Sequence, residues 1–151
     1  TLMRALELVE KTGESRLTGI LFPVLAALHI RAHDIESSKV VLTQLEAVVQ
    51  RSKSPVLAAI ANRMWGEFYA LTGEWEKAFE SFSKSLQLYS SIEQPHEQAE
   101  TMVQLALAHI KRGALDDLRE AYQLLSHAIS IFESFHEWEE AKRAETERAK
   151  I

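Results

Sequence analysis

With 151 residues, 46% of them apolar and 26% charged, the chain is long enough to bury one core and too apolar for disorder. Five glycines and three prolines are too few to punctuate many short strands, whereas the abundant Leu, Ala, Glu, Ser and Gln mostly favour helix, so the fold class is all-α. The lack of cysteine excludes disulfides and thiolate zinc sites, and a net charge of −5 with only short basic clusters excludes the footprint of a direct nucleic-acid partner.

Thr1-Leu-Met-Arg-Ala-Leu-Glu-Leu opens the chain as an amphipathic helix rather than a signal peptide, and residues 1–13 read as the second helix of a partial unit. Residues 17–53 form a whole unit, with Leu25-Ala26-x-x-His29-x-x-x-His33 followed by the stripe Val41, Leu42, Leu45, Val48 and Val49. Residues 55–94 repeat it as Trp65-Gly66-x-x-Tyr69-x-x-x-Gly73, then Trp75, Ala78, Phe79, Phe82, Leu86 and Tyr89. Residues 95–135 repeat it again as Leu105-Ala106-x-x-His109-x-x-x-Gly113, then Leu118, Ala121, Leu125, Ala128, Ile129 and Phe132. Residues 137–151, with Trp138-x-x-Ala141-x-x-Ala144, resemble a first helix without a second. Arrays that begin and end in mid-unit leave stacking faces uncovered, so the chain is expected to be cut from a longer protein, with end-to-end self-association open to it.

The beat from 33 to 73 to 113 is forty residues both times. A bulky residue, a small one and a ring three positions later share one helical face. The small residue lets a neighbouring helix approach, and the glycine supplies a left-handed cap. Short caps predict antiparallel helical hairpins.

The middle unit resembles the tetratricopeptide repeat, whose pattern has Leu-Gly-x-x-Tyr on the first helix, Ala-x-x-x-Phe on the second, and then Pro. Here stand Trp65-Gly66-x-x-Tyr69, Ala78-x-x-x-Phe82 and Pro95. The resemblance implies hairpins stacked in a right-handed superhelix. The unit is longer than the usual repeat of about 34 residues, a departure it shares with HEAT and armadillo repeats, which stand as the alternative. The extra residues fall after Phe82 and lengthen the second helix; a small insertion, Ala114-Leu-Asp-Asp-Leu-Arg, precedes Ala121. Such long units are similar to the bacterial arrays of signal-transduction ATPases, maltose-activator-type transcription regulators and cyclase-linked regulators. That likeness implies a cytoplasmic signalling or transcription-regulatory setting, without naming a ligand.

Chemistry is sparse. No phosphate loop, nucleophile elbow or zinc helix occurs, so neither an enzyme nor a cofactor is expected. His29-x-x-x-His33 would place two rings on one helix face, but the repeat columns read them as core and cap. Asp116-Asp117 and Glu139-Glu140 are adjacent and do not converge on a substrate; they read as charges favourable to helix N-termini. His96-Glu97 and His136-Glu137 read as surface or capping residues ahead of helices. The three tryptophans read as packing residues.

A partner is expected in the concave groove lined by the first helices. The residues beside the packing columns are Ile20, Val24, Ala27 and Arg31; Ile60, Arg63, Met64, Glu67 and Leu71; and Glu100, Val103, Gln104, Leu107 and Lys111. Their apolar body with isolated charges suits an amphipathic helix or extended peptide, from a protein partner or another part of the same chain. A small inducer molecule is the alternative. Chaperone-tail clamps of this family use paired Asn and several Lys at matching positions; Pro23-Val24, Arg63-Met64 and Val103-Gln104 depart from that set. No apolar run approaches the roughly 18 residues a membrane span needs.

Overall fold

The computed structural model describes residues 15–151, together with Arg4 ahead of them. The first partial unit expected over residues 1–13 therefore lies outside the described residues. Among the described residues seven helices follow in order: α1 (Ser15–Arg31), α2 (Ile35–Ser52), α3 (Pro55–Thr72), α4 (Trp75–Ser91), α5 (Pro95–Arg112), α6 (Asp117–Ser134) and α7 (Trp138–Ala149). Among the described residues there is no strand. Successive helices pack in antiparallel pairs, α1 with α2, α3 with α4 and α5 with α6, and α7 lies against α6. The first helices also touch one another, α1 to α3 and α3 to α5, which makes them the inner row of the stack.

Where the helices stop is set by a beat twice as fast as the sequence repeat. Left-handed residues occur at His33, Lys53, Gly73, Glu93 and Gly113, every twenty positions, and then at His136. At His33, Gly73, Glu93 and His136 the turn closes with the paired bonds of a Schellman motif; for Gly73 these run from Glu74 N–H to the Tyr69 carbonyl (2.9 Å) and from Gly73 N–H to that of Ala70 (3.4 Å). Lys53 and Gly113 use the simpler single bond, to the carbonyls of Val49 (3.1 Å) and His109 (3.0 Å). Helix starts are marked as well. Asp34 and Ser54 accept from Ser37 N and Leu57 N, and Pro55 and Pro95 stand in the first turn, where a missing N–H costs nothing.

The core falls into three buried clusters, linked by the partly buried Tyr69, Leu86 and Leu124. Ala26, Gly66 and Ala106, the small column, are buried, and so are the second-helix residues Leu42, Phe82 and Leu125 opposite them in register. These two columns compensate in volume: Ala goes with Leu in the first and third pairs, and Gly with Phe in the second. A Cβ placed on Gly66 would lie 2.8 Å from the Phe82 ring, so only glycine fits there. One polar bond also crosses this interface, from the buried Ser85 hydroxyl to the Ala59 carbonyl (2.8 Å). As expected, α4 runs well past Phe82, and Tyr89 on that extension is buried.

The fold gives detail to two sequence readings. His33 lies beyond the end of α1 at φ 57°, in the cap position its repeat column gives it, so it does not share a helix face with His29, whose ring faces Asp34 at 3.8 Å. Asp117 does stand in the first turn of α6, and it is also buried. It is 1% exposed and accepts from Arg112 Nε and Nη2 (both 2.7 Å), from His109 Nδ1 (2.6 Å) and from the Ala114 N–H (2.8 Å). The link between α5 and α6 carries the insertion seen in the sequence, and its tip, Leu115, is almost fully exposed. Asp117 ties that longer link to the last turn of α5, where His109 stacks on Phe79 at 4.3 Å and Arg112 covers the same ring.

Candidate functional site

Because first helices repeat every forty residues and lie side by side, equivalent positions fall into rows across them. One row is Arg31, Leu71 and Lys111; the next is Ala27, Glu67 and Leu107; a third holds Arg63 and Val103. These rows line a groove of ≈ 620 Å³ that extends from α1 to α7. Eleven of the fourteen residues singled out from sequence are gathered there, among them Arg31, Arg63, Met64, Glu67, Glu100, Gln104 and Lys111. Ala27, Leu71, Val103 and Leu107 line it as well. Ile20, Val24 and Ile60 do not. Val24 is half exposed outside the groove, and Ile60, a turn before Met64, turns into the core shared by α1, α2 and α3.

The floor is charged. Arg63 Nη1 lies 3.5 Å from Glu100 Oε2 across α3 and α5, while the Arg63 Nε is buried with no partner. Glu67, one turn along α3, makes no hydrogen bond or ion pair among the described residues. Loss of water at the groove floor pushes its carboxyl pKa up, against the pull of Arg63 and Arg31 and with the help of Glu100. Glu100 is engaged from its other side by His96, at 3.5 Å. His96 sits inside the first turn of α5 rather than ahead of the helix, hydrogen-bonds Glu137 and meets the edge of Phe132. Partial burial alone would lower the His96 pKa; the Glu137 hydrogen bond and the charge of Glu100 outweigh it and raise the value.

Sequence reasoning missed the far wall. Glu140, Arg143 and Ala144 of α7 line the groove, as do Phe82 and Phe132 from second helices. The signal was present in Trp138-x-x-Ala141-x-x-Ala144, which identifies a further first helix, but its groove positions were not carried over. The tryptophans behave as packing residues where they are enclosed: Trp65 stacks on Tyr69 at 5.4 Å and meets Phe68 edge-on at 5.7 Å, whereas Trp138 is largely exposed. Among the described residues no group of three or more His, Cys, Asp or Glu could hold a metal ion, and no helix is long and apolar enough to cross a membrane.

Paired helices of this length, closed by left-handed caps and keyed by a small residue against a bulky one, match a known pattern over residues 56–134, that of the tetratricopeptide repeat. The chain belongs to the tetratricopeptide repeat family. The match covers α3 to α6, the two pairs with glycine caps, and removes HEAT and armadillo repeats as the reading of the long unit. No curated protein matches the chain. Tetratricopeptide repeats generally serve as non-catalytic scaffolds that mediate protein–protein interaction.

Proposed function

We propose that the groove between α1 and α7 holds a peptide or helix, supplied by a partner protein or by another part of the same polypeptide. The observation that carries this reading is the composition of the lining. Two helices, α3 and α5, contribute the apolar side chains Met64, Leu71, Val103 and Leu107, interrupted by single charges of both signs. A partner recognised by alternating apolar and charged side chains fits such a surface. A small inducer would favour polar and aromatic groups converging on one point, and the only aromatic residues in the lining are Phe82 and Phe132, both buried. The setting we infer is a cytoplasmic bacterial regulator, on the strength of the long-unit resemblance.

The test is peptide display on the immobilised chain, followed by calorimetry of the selected sequences. Arg63→Ala with Glu67→Ala is expected to weaken selected peptides by about tenfold or more, since central charges of an interface act on affinity at that level. Unchanged affinity in the double variant would remove the groove as the binding surface.

A further inference from the structure

We propose that the occupant of the groove is acidic, a segment whose Asp or Glu side chains meet Arg31, Lys111 and Arg143 while its apolar side chains lie on Leu71 and Leu107; this rests on the peptide reading above. The three cations are exposed in the lining and none forms an ion pair among the described residues. The acids around them are less free. Glu100 is already shared between Arg63 and His96, and Glu67 lies at the groove floor with Arg63 on its own helix. Glu67, which feels the charge of Arg31, and Glu140 are the two acids of the lining left to answer three positive charges. A groove with unanswered positive charge, on a chain whose net charge is −5, selects partners by sign.

The geometry narrows the partner further. Arg31 and Lys111 occupy one row with Leu71 between them, on α1, α5 and α3 respectively. Packed helices lie about 8–10 Å apart, so the two cations stand roughly 20 Å from each other. An extended chain covers that distance in about six residues. The occupant is therefore a segment with two acidic positions about six residues apart, and apolar side chains between them. Three cations interrupted by Glu140 do not track a phosphate backbone, which separates this surface from one for nucleic acid.

Three labelled dodecapeptides test the proposal, alike in their leucines and carrying Glu, Lys or Gln elsewhere, beside a dodecathymidylate. Each is titrated by fluorescence anisotropy against the whole 151-residue chain, the Arg31→Glu/Lys111→Glu variant and Leu107→Asp, at low and high salt. We expect the Glu peptide to bind about tenfold or more tighter than the other two, to weaken with salt, and to lose that margin on Arg31→Glu/Lys111→Glu. If circular dichroism shows that this variant has lost helix, Arg31→Gln and Lys111→Gln, singly, replace it. Equal binding of the Gln or Lys peptide, abolished by Leu107→Asp, overturns the acidic partner and leaves the groove reading intact. Tighter binding of the oligonucleotide overturns the acidic peptide in favour of a nucleic acid. Binding of no peptide overturns both readings.

Discussion

The α3–α4 and α5–α6 pairs share one fold but hold their two helices together differently. In the first, the link is the pair Gly73-Glu74 and the helices meet through Gly66 and Phe82, with the ring seated where any Cβ would collide. In the second, Ala106 faces Leu125, the link lengthens to residues 113–116, and a buried carboxylate braces it. A short link leaves the helices to be fixed by shape. A longer one has freedom to lose, and here four hydrogen bonds to Asp117 remove it. Local geometry that one pair obtains from packing, the other obtains from charge.

Removing the brace should have the largest effect. Asp117→Ala leaves the Arg112 guanidinium, the His109 ring and the Ala114 N–H without their acceptor. Arg112 is one-third exposed and keeps its place over Phe79, which softens the loss to about 2–3 kcal/mol. Urea unfolding of variant and parent measures it, and a difference below about 1 kcal/mol would mean that the link is held by packing alone. The pH dependence follows from the sign of the shift. The Arg112 guanidinium, above all, with the His109 and Ala114 hydrogen bonds, holds the Asp117 carboxyl well below the usual carboxylate range despite its burial. The carboxyl therefore stabilises the fold fully above the unfolded-chain value of about 3.9, and that contribution is lost as pH falls below it. The stability gap between parent and Asp117→Asn should be flat from neutral pH to about pH 5 and close as acid is added.

This brace also marks how far the sequence can be read. The forty-residue columns reveal the helices, their pairing and the glycine caps, because each column is a local steric requirement repeated in register. They reveal most of the groove for the same reason: first-helix positions such as Arg31 and Lys111 map onto one another. Asp117 was illegible because its partners come from the end of the preceding helix through an insertion that breaks the register. Non-glycine residues at left-handed positions were hidden too; only the glycines advertise such turns, and Lys53, Glu93 and His136 carry no such mark. Ile60 was misplaced since it sits at the border of two faces, where half a turn decides between core and groove.

The second pair of predictions addresses packing. Gly66→Ala brings a Cβ to within 2.9 Å of three atoms of the fully buried Phe82 ring, an overpacking that costs up to about 3 kcal/mol. The better helix propensity of alanine returns about 1, leaving roughly 2 kcal/mol of destabilisation. Adding Phe82→Leu converts the pair to the Ala–Leu solution used by its neighbours. The double variant should then be more stable than the sum of the single changes by about 1 kcal/mol or more, and additive losses in the cycle would refute compensation between the columns.

The smallest expected effect separates strain from space. Gly73 is free of neighbours where a Cβ would stand, yet its φ is 80°, so Gly73→Ala tests backbone conformation without packing. Its expected cost is about 1 kcal/mol, less than that of Gly66→Ala, where the backbone is helical and the space is missing. His33, Lys53, Glu93 and His136 hold the same conformation with side chains attached, which shows that the fold bears this strain at several turns. Glu93→Gly should accordingly stabilise by up to about 1 kcal/mol, with its gain limited by the greater freedom of glycine in the unfolded chain. Thermal unfolding of both variants decides the point. If Gly73→Ala proved neutral while Gly66→Ala did not, helix termination here would rest on the Schellman hydrogen bonds alone, and of the two glycines only Gly66 would be required.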